Sequence, residues 1–327
     1  MHFFKRALAL GTMTMLAASA GGQAFAQQEK APEAFPTKRI SVIVGFAAGG
    51  FADNVARIIG RKLGDRLGQP VVIQNMGGAG GNIAARHVAM QPADGYMLLL
   101  ATSSLAINDT LYKKSGFTAS GLTPVAIPAE APELLAANPK SGIKSFADVM
   151  QHAKDNKLFM GSSGIGSGSH ISAEYFFKVV AKTNVKHIPF PGGNPAMLGL
   201  LSGDVNLMAS TATAIQPIIS GELVGIAVGG AERSKSIPNV PTYAELGFPG
   251  FTARSWAGFF APAGTPEPVL TKLNAEINES LKDPDVIKQF ETMGLNTAQR
   301  TRPEAVEVFQ ADVVSWGKMV SGLGLDK

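Results

Sequence analysis

The 327-residue chain has no cysteine, so no disulfide can staple it and no thiol can act as nucleophile or metal ligand. Stability must come from a buried core, and the length suits two lobes of about 150 residues each. Long apolar runs are also missing. The longest, Ala7 to Ala20, falls short of the ~20 residues that a helix needs to cross a bilayer. It follows Lys5-Arg6 and precedes Ala24-Phe25-Ala26, the basic, apolar, small-residue order of a secretory leader. Cleavage is expected after Ala26, with no membrane insertion afterwards.

Charge of one sign is scarce. Loss of residues 1–26 removes Lys5 and Arg6 and no acid, so the formal charge falls from +4 to +2. No run of Lys and Arg interleaves with aromatics; pairs such as Lys38-Arg39 and Lys113-Lys114 read as solvated surface, and nucleic acid is not an expected partner. Signatures of chemistry are lacking too. Gly164-Ile-Gly-Ser-Gly168 places its serine one position late for a nucleophile elbow, and Gly78-Ala-Gly-Gly-Asn-Ile83 lacks the last glycine of a dinucleotide fingerprint. The histidines, at 2, 87, 152, 170 and 187, have no zinc spacing. No cofactor and no metal are expected. Ser162, Ser163 and Ser167 could be nucleophiles only with a nearby base, which the sequence does not offer. A serine-loop hydrolase is therefore the weaker alternative to a binding protein.

What is present is a repeated grammar of strand, glycine loop and helix. Arg39 to Val44 is a β-branched run that ends in Gly45-Phe-Ala-Ala-Gly-Gly50. Val55, Ile58, Ile59 and Leu63 then recur at helical spacing, with Asp53 as the expected cap. The pattern returns at Pro70–Asn75, at Tyr96–Leu100, at Leu158–Met160 before a helix from about His170, and at His187–Phe190 before Asn194-Pro195 as cap and first turn. Apolar strands between helices imply α/β lobes with parallel sheets. Glu133–Ala137 and Ser255–Ala261 read as lone extended crossovers. They divide the chain into a first lobe, 27–132 plus 258–327, and a second, 133–257, hinged by two strands. Pro266, Pro284 and Pro303 start three C-terminal helices.

Five loops at strand ends, 45–53, 77–82, 101–104, 161–169 and 190–194, contain no Lys or Arg and are rich in Gly and Ser. Ligands of open α/β sheets sit beyond the strands' carboxyl ends, where helix N-termini offer N–H groups to anions. Capture of a carboxylate by backbone dipoles and hydroxyls follows. Gly50, between the first strand and helix, is expected to need both glycine's backbone freedom and its lack of bulk. Asp53 reads as a helix cap or as a partner for a ligand ammonium, and Phe46 as pocket wall or core.

Phe35-Pro-Thr-Lys-Arg-Ile40, Gly45 to Asp53, Leu67-Gly-Gln-Pro70, Gly78 to Ile83, Asp94-Gly-Tyr96, Gly161-Ser-Ser-Gly164 and Pro238 to Phe248 together resemble the Bug-type extracytoplasmic solute receptors of tripartite tricarboxylate transporters. The resemblance spans nearly all of the chain after the leader. It implies a two-lobed receptor of the periplasmic-binding-protein fold, acting as a monomer, that closes on a small carboxylate and passes it to membrane transporter subunits. A sensor kinase is the alternative partner. Carried over by position, the resemblance points to Phe46, Ala47, Gly50, Asp53, Ser103, Ser104, Ser162, Ser163 and Ser167 as ligand contacts. Three departures concern ligand identity: Phe190-Pro191-Gly192 stands for the family's Tyr-Lys-Gly, Met76 for its Arg, and Ser210 for an acid or amide. Gly192 and Ser210 therefore join the candidate contacts.

Overall fold

The computed structural model describes residues 35–112, 119–155 and 157–326; the leader and its cleavage site lie outside them. The first sheet has six strands in the order β11-β4-β10-β3-β1-β2. They are β1 (Ile40–Val44), β2 (Val71–Asn75), β3 (Met97–Thr102), β4 (Leu122–Pro132), β10 (Arg254–Pro262) and β11 (Asn296–Thr297). The second sheet has five strands, β7-β6-β8-β5-β9, drawn from β5 (Leu134–Ala137), β6 (Phe159–Ser162), β7 (Lys186–Pro189), β8 (Leu207–Ser210) and β9 (Val224–Val228). Parallel pairing is confined to β2-β1-β3 and β7-β6-β8, whereas β4, β10 and β5 run antiparallel to their neighbours. Both sheets are thus mixed. The cause is that the chain passes between lobes through β4, β5 and β10 instead of returning by a helix.

Alternation along the strands gives each sheet two apolar faces. In β1 and β3, Val42, Val44, Leu98 and Leu100 enter one core while Ile43, Leu99 and Ala101 enter the opposite one. In β5, Leu135 and Ala137 face one layer of the second lobe, and Leu134 and Ala136 the other. Helices cover these faces: α1 (Phe51–Leu67), α2 (Asn82–Ala89), α3 (Ser104–Leu111), α8 (Glu267–Ser280), α9 (Pro284–Thr292) and α10 (Arg302–Gly322) on the first lobe. The second lobe carries α4 (Phe146–Lys154), α5 (Gly168–Tyr175), α6 (Gly193–Ser202) and α7 (Ile215–Ile219). Local signals account for the starts of α4 and α10. Ser145 with Asp148, and Thr301 with Glu304, form reciprocal capping boxes. Among the described residues no helix is long and apolar enough to cross a membrane.

Several boundaries differ from those the sequence predicts. Ser255–Ala261 is no lone crossover: β10 pairs with β3 on one side and β4 on the other, from Arg254 onward. The crossings lie at Glu133 and at Ala253. Glu133 N–H donates to Ala253 O at 3.0 Å, Gly229 N–H to Glu133 O at 2.6 Å and Ala253 N–H to Gly229 O at 2.8 Å. Three short backbone bonds thereby tie together the points where the chain changes lobe. Helices α1, α5 and α6 each begin one or two residues before the side chains read as their starts, so Asp53 and Asn194 lie inside the first turn and His170 is the third residue of α5. Glycines fill the N-cap positions of α1 and α6, which the side-chain capping rule does not register.

Candidate functional site

Three helix N-termini meet at one void between the sheets. Gly50, Phe51 and Ala52 open α1, Ser167, Gly168 and Ser169 open α5, and Gly193 opens α6; all seven line this void. Phe46, Thr102 and Ser163 complete the wall with Glu133, Thr211, Thr213 and Ser255. Among the described residues the lining therefore holds hydroxyls, backbone N–H groups and one acid, with no Lys, Arg or His. The first N–H groups of a helix have no partner within it, and the helix dipole places partial positive charge there. Such ends attract a carboxylate without a basic side chain.

Of the residues singled out in the sequence, Phe46, Gly50, Ser163 and Ser167 line this void. Phe46 also borders a smaller void and the outer groove between the lobes. Gly50 has φ −79° and ψ 178°, ordinary extended backbone, so the expected demand for glycine's conformational freedom is not met. A Cβ there would stand 3.9 Å from Gly193 N, so its importance lies in open space between two helix ends. Ser167 Oγ accepts from His170 N–H at 3.2 Å, as N-cap of α5, and donates to Gly164 O at 2.7 Å.

The remaining candidates stand behind or beside the wall. Ala47 lies in the outer groove, opposite Gly192. Ser103 is buried and shares a hydrogen bond of 2.8 Å with Ser255, and Ser104 receives one of 3.0 Å from Thr102 beside the smaller void. Ser210 is buried at the end of β8 with its Oγ unpaired. Asp53 is 1% exposed, and both its oxygens are occupied. Oδ2 accepts from Gly49 N–H at 2.8 Å and Arg57 Nε at 2.9 Å, while Oδ1 accepts from Asn75 at 2.8 Å. Asn75 reaches on to Phe46 O at 3.0 Å. Asp53 thus braces the loop that carries Phe46 and Gly50.

Ser162 has a base after all. Its Oγ lies 2.6 Å from His187 Nε2, a partner 25 residues away that no local motif announces. The pair faces inward: Ser162 is fully buried and does not border the void. Burial first, then the neighbouring His187 and Lys178, pushes His170 down to about 3, and burial likewise lowers His187. Two neutral imidazoles therefore stack at 4.2 Å. His170, Glu174 and His187 offer ligand atoms within 4.8 Å of one another, a set that could hold a metal. Each already has a partner, however. Gly166 N–H donates to His170, Lys178 pairs with Glu174 at 2.9 Å, and Ser162 holds His187.

Ser169 and Gly193 lie in the loops expected at the site, whereas Glu133, Thr211, Thr213 and Ser255 lie outside all five loops and were not foreseen as lining residues. The signal was available. A strand that joins two lobes passes through the floor of the cleft: Glu133 sits at one crossing, and Ser255 follows the other crossing at Ala253 by two residues, at the start of β10. Thr211 and Thr213 follow β8 at its carboxyl end, where the same strand-end rule applies.

A family model described as the tripartite tricarboxylate transporter family receptor matches residues 55–325. Protein BugT of Bordetella pertussis is 35% identical over 299 residues, covering 89% of this chain and 91% of BugT. Two structures from Rhodopseudomonas palustris share the fold closely. MatC with bound malate has 32% identity and a TM-score of 0.83 over 88% of this chain and 100% of its own. Rpa4515 with adipate has 31% identity and a TM-score of 0.84 over 89% and 98%.

Proposed function

The chain belongs to the receptor family of tripartite tricarboxylate transporters, which are periplasmic binding proteins and not enzymes, and on that premise we propose that it captures a small organic acid in the interlobe void and delivers it to the membrane subunits of such a transporter. The two R. palustris relatives hold malate and adipate, so a small carboxylate is the class to expect. One observation carries the reading: the N-termini of α1, α5 and α6 converge with serine and threonine hydroxyls on a void that has no basic side chain. Each hydrogen bond to a charged acceptor contributes about 1.5–3 kcal/mol net, so a few such donors suffice for tight capture. Ser162–His187 does not favour a hydrolase, because the hydroxyl is sealed from the void.

Mass spectrometry of ligand retained by gently purified protein, followed by calorimetry with the compound found, tests this. A carboxylate should be recovered chemically unchanged, and its affinity should vary less than tenfold between low and high salt, since donors inside a closed cleft are screened little. Turnover of the compound would overturn the receptor reading in favour of an enzyme, and a hundredfold loss of affinity in salt would refute a neutral cleft.

A further inference from the structure

Among the described residues Glu133 is the one ionisable side chain on the wall of the void, and nothing in the capture of a plain carboxylate uses it. It is 4% exposed and lies at the crossing between β4 and β5. Its Oε2 accepts a long hydrogen bond, 3.4 Å, from Thr211, and its Oε1 has no protein partner. Ordinary packing does not explain such a group, because a desolvated, half-paired carboxylate costs several kcal/mol unless a charge or a proton compensates it.

The void has two chemically distinct ends. At one, Gly50 and Gly193 bring the starts of α1 and α6 together; a Cβ on Gly50 would lie 3.9 Å from Gly193 N, and one on Gly193 would lie 3.6 Å from Ser163 Oγ. These are neutral donors, suited to a carboxylate. At the other, a Cβ on Gly168 would lie 2.6 Å from Glu133 Oε1, 2.9 Å from Ser103 Oγ and 3.5 Å from Ser255 Oγ. That end is an acid surrounded by hydroxyls. A ligand whose carboxylate sits at the first end presents its other group to Glu133, where a second carboxylate would be repelled and a cation attracted.

We propose that Glu133 seats a cationic nitrogen of the ligand, so that this receptor takes a zwitterionic ammonium acid in preference to a dicarboxylate or a hydroxy acid. The inference rests on the carboxylate-capture reading and narrows its ligand class. Burial pushes Glu133 up to about 8, against a smaller lowering by Thr211, so without ligand the acid holds its proton at pH 7. Around it stand the hydroxyls of Thr211, Ser103 and Ser255 and the backbone of Gly168. The Tyr243 phenol is coupled to it and is itself pushed far up, by burial first and then by Glu133. When the ammonium binds, Glu133 loses its proton to the buffer and the ion pair forms. Close to one proton is therefore released per ligand at pH 7, and affinity rises about tenfold per pH unit until it levels near 8.

The test is a thermal-shift panel of pairs that differ only in an ammonium or a hydroxyl: aspartate and malate, alanine and lactate, 4-aminobutyrate and 4-hydroxybutyrate. The pairs are extended to the common amino acids and small dicarboxylates. Calorimetry of the best ligand at pH 7, in buffers of different ionisation enthalpy, counts protons and needs no variant. The strongest ligands should carry the cationic nitrogen and release a proton, and Glu133→Gln, with its unliganded melting checked, should bind them at least tenfold more weakly. Best ligands without a cationic nitrogen, proton uptake or no proton exchange on binding, or undiminished affinity in Glu133→Gln would each overturn the inference. If hydroxy acids or dicarboxylates win, the carboxylate-receptor reading stands and Glu133 acts as a protonated donor. If no carboxylate of any kind stabilises the protein, both fall.

Discussion

Asp53 shows how a single buried acid can serve a binding site that it does not line. Burial alone would raise its pKa, but hydrogen bonds from Arg57, the Gly49 N–H and Asn75, with the Arg57 charge, outweigh that and hold it below the ordinary carboxylate value of 3.8. A folded-state pKa below the unfolded one means stabilisation that is complete above about 3.8 and lost as the pH falls through the folded value. Asp53→Ala removes the acceptor shared by the half-buried Gly49 N–H and the exposed Arg57 and Asn75 side chains; those donors can turn to water, so the cost is the net worth of hydrogen bonds to a charged acceptor, about 1.5–3 kcal/mol. Denaturant unfolding at neutral pH should show a loss of that order, and the gap between wild type and variant should close in acid. Ligand affinity should fall as well, because the loop with Phe46 and Gly50 loses its brace. Normal affinity in Asp53→Ala would show that this loop holds its form without the acid.

The loops at the mouth of the cleft are close-fitting elements. Gly80 of the first lobe and Gly166 of the second have φ of 61° and 81°, left-handed backbone that costs a side chain about 1–2 kcal/mol. They also lack room: a Cβ on Gly80 would come within 2.7 Å of Ile165 O, and one on Gly166 would collide with Asn108 Oδ1. Asn108 in turn donates to Gly80 O at 2.9 Å. Valine at either position should wedge the lobes apart. We expect ligand affinity to fall at least tenfold in Gly80→Val and Gly166→Val while far-ultraviolet dichroism stays native, and unchanged affinity in both would mean that the mouth need not close.

The grammar of strand, glycine loop and helix was readable at this scale because β-branched runs, glycines and the 3.6-residue period lie adjacent in the chain. Helix starts slipped by one or two residues at Asp53 and Asn194, since glycine N-caps leave no side-chain mark, and at His170, where the cap is Ser167, one of several serines in the same loop. The place of β10 was hidden for another reason. Eight of its nine residues are buried, and an apolar run reads the same whether it lies alone at a hinge or in mid-sheet. Ser162–His187 depends on a contact between segments 25 residues apart, so neither composition nor spacing could reveal it, whereas the position of Glu133 in a crossover segment was legible and only its neighbours were not.

Across the whole molecule, each sheet is locked by apolar layers on both faces, while the crossings at Glu133 and Ala253 are narrow. On the proposed reading, motion is directed to these crossings. A ligand can shift the open and closed forms only by binding one more tightly, and a hundredfold excess over Kd adds about 2.7 kcal/mol of stability. The void's lack of basic side chains has a consequence for time as well as for strength. On the proposed reading, cargo is held by helix ends and hydroxyls and has no lysine or arginine ion pair to dissociate; once the lobes part, water replaces every donor at once. Residence time is then set by how often the hinge opens, and a membrane partner that pries the lobes apart would empty the receptor without altering its pocket. Stopped-flow dissociation should therefore quicken in Gly80→Val and Gly166→Val in step with the larger radius seen by small-angle scattering, and should be nearly indifferent to salt; rates that follow ionic strength and ignore the hinge variants would place the barrier in the pocket instead.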